Sequence, residues 1–245
     1  MKRLVLAVAV LMLAALALVA FPPSPKVKEA ALAPIALEAA PLATPQARAA
    51  APIASPPADA TLAAGDASDS DCEAALKAMG VTFEVEAPVT GETGCGTERP
   101  LKVSSVGVEL KPAVTTRCPV AKALAAWTKD VVIPSAKLYM KDEPTALSTG
   151  DSYQCRTRRG DGETKISEHA RANAVDITGV AFSGGRTLAI SEQPGDDGAR
   201  SFQAAIRGGA CAYFPTVLGP GANAAHADHL HVDLIDRGNG YRICE

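Results

Sequence analysis

The chain holds four histidines, and three of them lie in the stretch Asn223–Leu234, NAAHADHLHVDL. From His229 the residues alternate. His229, His231 and Asp233 take the odd positions; Leu230, Val232 and Leu234 take the even ones. A strand with this pattern buries an apolar face and turns a His-His-Asp face the other way. Two neighbouring imidazoles can ligate a metal or set a proton-transfer group beside a ligand. His226 lies ahead of the alternation and reads as a loop histidine. The fourth, His169, belongs to Ser167-Glu168-His169-Ala170-Arg171-Ala172-Asn173-Ala174-Val175-Asp176. There Val175 and Ile177 would face a core, and Asp176 would face away from it with Ala174 and Thr178. His169 sits on the turn leading in. All four histidines thus fall in two short motifs with matching aspartates. That favours a metal site over histidines hydrogen-bonded inside a core.

These residues need elements to position them. The sequence predicts a short helix over Glu73–Met79 and strands over Val81–Glu86 and Val103–Leu110. The clearest helix is Pro119–Val132. Its proline sits at the start, where a missing N–H costs little, and Val120, Ala123, Leu124 and Trp127 recur at helical spacing. Ser152–Arg156, Ala174–Thr178, Arg186–Ser191 and His229–Leu234 read as strands, and Thr157–Glu163 reads as a loop. Ala199–Phe214 reads as a helix interrupted near Gly208-Gly209. Short strands mixed with a few helices predict an α+β domain with a mostly antiparallel sheet and flanking helices.

The domain does not fill the chain. Lys2 and Arg3 precede the unbroken apolar run Leu4–Phe21. The run is longer than the usual cleavable core of about 7–15 residues and reaches the span of a membrane helix, about 17–25. Residues 1–21 therefore read as a signal sequence or an N-terminal membrane anchor, and the rest of the chain is expected to be exported to a periplasm or cell envelope. Residues 22–71 are rich in alanine and proline and poor in large apolar side chains. They read as a disordered linker. All six cysteines follow, from Cys72 to Cys244, with no CxxC pair. In an exported domain this reads as disulfides, in one of 15 possible connectivities. The net charge of −3 is small, and no basic stripe suggests nucleic acid. The domain, residues 72–245, is expected to act as a monomer that meets the membrane only through its N-terminal segment.

The paired motifs resemble a known family. Ser167-x-His169-x6-Asp176 followed by His229-x-His231 is similar to the zinc-peptidase superfamily of D-alanyl-D-alanine carboxypeptidases, L-alanyl-D-glutamate endopeptidases and hedgehog-type domains. The closer resemblance is to the bacterial extensin-like C-terminal domain family. It is carried by Tyr153-Gln154-Cys155-Arg156, Asn173-Ala174-Val175-Asp176, Val217-Leu218-Gly219-Pro220-Gly221 and His226–Asp233, and it covers most of residues 72–244. The resemblance implies a hedgehog/D-Ala-D-Ala-peptidase-like fold and zinc held by His169, Asp176 and His231. Zinc with three protein ligands keeps a position for water, lowers its pKa to about 7 and polarises a peptide carbonyl. Two residues compete as the base. Alternation favours His229, on the face of His231; Asp228 is the orienting group or the alternative base. The resemblance also sets Arg156 near the substrate carbonyl or carboxylate, where a fixed cation could stabilise an oxyanion. Ser167 and Asp233 are candidates for supporting the ligands. Ala172 stands where the superfamily commonly has glycine, so a positive φ there would strain it. The implied partner is peptidoglycan or a cell-wall peptide, met either by a zinc-dependent peptidase or amidase or by a non-catalytic envelope-binding module.

Overall fold

The computed structural model describes residues 69–92, 94–158 and 164–245. The apolar run 4–21 and most of the 22–71 segment lie outside them. Among the described residues no helix is long and apolar enough to cross a membrane.

Eleven strands follow in chain order: β1 (Thr82–Val85), β2 (Val89–Thr90), β3 (Gly96–Thr97), β4 (Leu101–Ser105), β5 (Glu109–Thr116), β6 (Pro144–Thr149), β7 (Ala174–Phe182), β8 (Thr187–Ala189), β9 (Thr216–Leu218), β10 (Leu230–Asp233) and β11 (Ile243–Cys244). Nine form one sheet in the order β1-β4-β5-β6-β7-β10-β9-β11, with β8 also on β7; β2 and β3 form a separate pair. Among the described residues only β5–β6 and β9–β11 pair in parallel. The fold is therefore α+β with a mostly antiparallel mixed sheet.

Three helical segments flank it: α1 (Asp69–Ala78), α2 (Cys118–Trp127) and α3 (Asp197–Ala210). One contiguous core joins the sheet to the helices. Val103, Leu147, Val175, Ile177, Leu230 and Val232 share it with Leu76, Leu124, Trp127, Phe202 and Ile206. Trp127 Nε1 donates to the Ile206 carbonyl at 2.9 Å and ties α2 to α3. This meets the buried indole's need for a partner.

Several elements differ from the sequence-based expectation, each for a local reason. α1 begins at Asp69, inside the segment assigned to the linker, with Asp69 and Asp71 in its first turn. Acidic groups are favourable there. The single strand expected over Val103–Leu110 is a turn between β4 and β5, closed by Val106 N–H donating to Val108 O at 3.0 Å. α2 does not stop at Val132. It continues through a π-helical turn at Thr128–Val132, one α-helical turn at Ile133–Ser135 and a second π-helical turn at Ala136–Met140. Pro134 has no N–H to donate inside a helix, and the wider π turn ahead of it relaxes the clash. Gly208-Gly209 does not interrupt α3 either. A Cβ on Gly209 would lie 2.5 Å from Val131 Cγ1, so this glycine lets α3 approach the helix that follows α2. Ser152–Arg156 forms no strand. Its backbone bonds run instead to the His169 loop: Gln154 N–H to His169 O at 3.2 Å, and Ser167 N–H to Arg156 O at 3.1 Å.

The cysteines pair as Cys72–Cys118, Cys95–Cys155 and Cys211–Cys244, and none is free. The first joins α1 to α2. The second fastens the irregular 152–156 segment to the β3 hairpin. The third closes β11 onto the end of α3.

Candidate metal centre

Strand pairing brings the site together. β7 and β10 are antiparallel neighbours, with His231 opposite Asp176 and Leu230 opposite Ile177. Directly opposed residues share a face. His231 and Asp176 therefore stand side by side on the face away from the core that Leu230 and Ile177 enter.

His169 arrives on a 3-10 turn, Glu168–Arg171. The Ser167 Oγ caps this turn by accepting from His169 N–H at 3.3 Å. The turn ends at Ala172 in the left-handed region, φ 51° and ψ 31°. The position does need a positive φ, at a cost of roughly 1–2 kcal/mol for an L-residue. A polar clamp holds it there. The Ala172 carbonyl accepts from Arg117 N–H at 3.0 Å and Thr116 Oγ1 at 2.9 Å, at the end of β5. The Asn173 side chain bridges the buried Glu168 carboxylate and the Arg117 guanidinium.

Three acceptor atoms then meet. His169 Nε2 lies 3.1 Å from His231 Nδ1 and 3.2 Å from Asp176 Oδ1, and His231 Nδ1 lies 2.9 Å from Asp176 Oδ1. All three residues are buried, and together they can hold a metal ion. The outer nitrogens fix the tautomers. His169 Nδ1–H donates to the Ser152 carbonyl at 2.8 Å, and His231 Nε2–H donates to Asp233 Oδ2 at 3.1 Å. Those oxygens only accept, so in the neutral rings the inner nitrogens carry the lone pairs. Three lone-pair donors facing one point repel each other unless a metal ion or a shared proton joins them. A tetrahedral ion with bonds of 2.0–2.1 Å keeps its ligand atoms about 3.3 Å apart. The observed edges are within a few tenths of an ångström of that, so the donor set fits.

Without a metal ion, protons on the inner nitrogens join the cluster instead. Burial disfavours the charged His231 ring, but hydrogen bonds to Asp176 and Asp233 outweigh it and push its pKa up to about 9. Burial likewise opposes ionisation of Asp176, yet the bonds from His169 and His231 hold its carboxyl well below the usual carboxylate range. The site is built for positive charge.

Asp233 holds the His231 ring from outside rather than joining the cluster. Its Oδ1 accepts from Ile235 N–H at 3.0 Å, and Thr216 also bonds it. Arg237 in turn donates to Thr216 Oγ1 at 2.5 Å. Carboxylate support of this kind is worth about 10–100-fold in metal affinity. If the group holds a metal, Asp233→Asn is expected to weaken its binding by that factor, read by competition with a chromophoric chelator. Unchanged affinity would mean that Asp233 does not set the His231 tautomer.

His229 lies one residue ahead of β10, so it is outside the ladder that alternation assigned it to. It still reaches the site: its Nε2 is 3.7 Å from Asp176 Oδ2. The exposed Asp228 carboxylate accepts from His229 Nδ1–H at 2.9 Å, and that bond holds its pKa below the ordinary value. The two rival bases are thus hydrogen-bonded to each other. Arg156 is half-buried at the same cleft, pinned by Gln154 Oε1 at 2.6 Å and Asp151 Oδ2 at 3.5 Å. His226 is more than a loop histidine. Its ring centroid lies 5.2 Å from that of His229 and 5.7 Å from that of His231. Burial, with His231 and His229 nearby, pushes its pKa down to about 4 and keeps it neutral. Asn223 Oδ1 accepts from His226 Nδ1 at 2.7 Å.

The cleft over the cluster encloses about 270 Å³ and is lined by Arg156, Arg158, His226, His229 and Arg237 among others. Sequence reasoning missed Ser152, Thr216, Asn223, Arg158 and Arg237. The Ser152 contribution is a backbone carbonyl, which no side-chain pattern reports. Thr216 and Arg237 follow no periodicity.

Fold and site together define a disulfide-stapled α+β domain with a buried His-Asp-His group able to hold a metal. The chain belongs to the extensin-like protein C-terminus family, whose model matches residues 70–245. No curated protein and no solved structure shows significant similarity to it.

Proposed function

We propose that this domain is a zinc-dependent peptidase or amidase acting on peptidoglycan peptides, related to the hedgehog and D-alanyl-D-alanine carboxypeptidase group in fold and in ligand set. One observation carries the reading. His169 Nε2, His231 Nδ1 and Asp176 Oδ1 converge with their outer partners already committed, and the His229–Asp228 pair stands at the mouth of the same cleft. Zinc in that group supplies a Lewis acid that polarises a carbonyl and acidifies a water.

The chain's own residues do the rest. His229 Nε2 takes the proton from the attacking water and returns it to the leaving amine. Asp228, accepting from Nδ1–H, fixes the ring and favours the imidazolium that forms. Arg156 faces the cleft as a fixed cation for the developing oxyanion. Neutral His226 walls the site without adding charge. Three disulfides support an oxidising compartment, in line with export to the cell envelope.

The test is turnover of peptidoglycan fragments by the zinc-loaded protein. Loss of a general base costs about 10²–10⁴-fold in rate. His229→Ala is expected to lose activity by that factor with its zinc content unchanged, whereas His231→Ala loses both. If wild type holds zinc yet is as inert as both variants, the peptidase reading fails. Binding to sacculi without released fragments would then identify a non-catalytic envelope-binding module.

A further inference from the structure

A second cavity lies on the other side of β10. His231 lines the metal cleft, whereas Leu230, on the opposite face of the strand, lines this cavity of about 350 Å³. Topology opens it. β8 and β10 pair with successive stretches of β7, Gly179–Ala181 and Ala174–Ile177. The two strands therefore meet end to end, and α3 lines the seam between them with Gln203, Ala204, Ile206 and Arg207. The polar groups of the rim are nearly all committed. Gln203 Oε1 accepts from Ser191 N–H at 3.2 Å, and Gln193 Nε2 donates to Ala189 O and to Ser191 Oγ, each at 3.1 Å. Arg200 is paired with Asp197. These bonds hold the rim in place without a ligand. Arg207 is the exception. Its stem runs along Gly219, where an added Cβ would lie 3.0 Å from Arg207 Cδ, and its guanidinium donates to Pro220 O at 2.6 Å. Half-buried, it has no carboxylate partner among the described residues, and most of its donors are left over. Glu192, the one carboxylate among the described lining residues, is exposed and forms no ion pair with Arg207.

The remaining walls are aliphatic: Ile190, Pro194, Ile206, Pro220 and Leu230, with no aromatic ring among the described lining residues. An apolar box with one unpaired cation fits an amphipathic anion. The guanidinium fork takes a carboxylate with two parallel N–H···O bonds, and the aliphatic walls take a saturated chain. At about 30 Å³ for each water-sized atom, the cavity holds about a dozen heavy atoms. We propose that this cavity is a binding site for a free medium-chain aliphatic carboxylate, its head on Arg207 and its chain against Ile190, Ile206 and Leu230. The site is separate from the metal centre, and the inference does not depend on the peptidase reading.

The experiment is calorimetric titration of the full-length protein, with and without zinc, using octanoate, octanamide, hexanoate and acetate. Octanoate is expected to bind about tenfold more tightly than octanamide, which keeps the chain and lacks the charge. Burying a methylene is worth about fourfold, so octanoate is expected to exceed hexanoate by about tenfold or more, and acetate is not expected to bind. Arg207→Gln is expected to bring octanoate down to the level of octanamide. Arg207 also braces Pro220, so a second variant leaves that bond alone. Ala204→Trp, at an exposed position of α3, fills the cavity and is expected to abolish octanoate binding with the zinc content unchanged. Octanoate that binds wild type and Ala204→Trp equally well sits elsewhere and overturns the site. Acetate binding as tightly as octanoate, and only with zinc, assigns the carboxylate to the metal and overturns it too. So does octanoate binding with no preference over octanamide or hexanoate, or no octanoate binding at all.

Discussion

Asp176→Ala is expected to weaken metal binding by about 10²–10³-fold. A zinc site worth about 10–16 kcal/mol shared among four ligands assigns each about 2.5–4 kcal/mol. At about 1.4 kcal/mol per tenfold, that is a loss of about 10²–10³ in affinity. Asp176 also carries the carboxylate that faces His169 and His231. Its removal leaves two buried rings with no anion between them, so a fall in thermal stability is expected as well. Competition with a chromophoric chelator checks the first effect, and a melting curve checks the second. Unchanged zinc affinity in Asp176→Ala would rule out the proposed ligand set.

Loss of the Cys95–Cys155 disulfide is the second large effect. Its half-cystines are separated by 60 residues. Chain-entropy arguments then give about 4 kcal/mol of stability. This bridge should also cost metal affinity, because it fastens the segment whose Ser152 carbonyl accepts from His169 Nδ1. Cys72–Cys118, with a separation of 46, is expected to cost about as much stability but to leave zinc binding unaltered. The two double Cys→Ala variants, compared by denaturant unfolding and chelator competition, separate the roles. Equal zinc affinity in both would mean that the His169 tautomer is set without the disulfide.

How much of this was legible in the sequence depended on the kind of contact. The β10 register could be read because its period is two and one face had to be apolar; the same held for Val175, Asp176 and Ile177 on β7. That the two strands are neighbours could not be read, since pairing across more than fifty residues leaves no local mark. The resemblance supplied that link. Disulfide partners were hidden for the same reason. Gly208-Gly209 misled because glycine signals both a break and a close approach, and only the Val131 contact says which. Ser152–Arg156 alternates like a strand, but its backbone partners belong to the His169 turn. His226 was underestimated because a 3-10 turn, Ala224–His226, folds it back over the strand that follows.

The His231–Asp176 pairing has a consequence for how the domain folds. A slip of one residue between β7 and β10 would turn His231 into the core and Leu230 into the cleft. Such a misregistered sheet offers no three-ligand site. Metal capture therefore rewards one alignment only, and an ion bound early would act as a proofreader of strand assembly, selecting the productive topology from its shifted competitors.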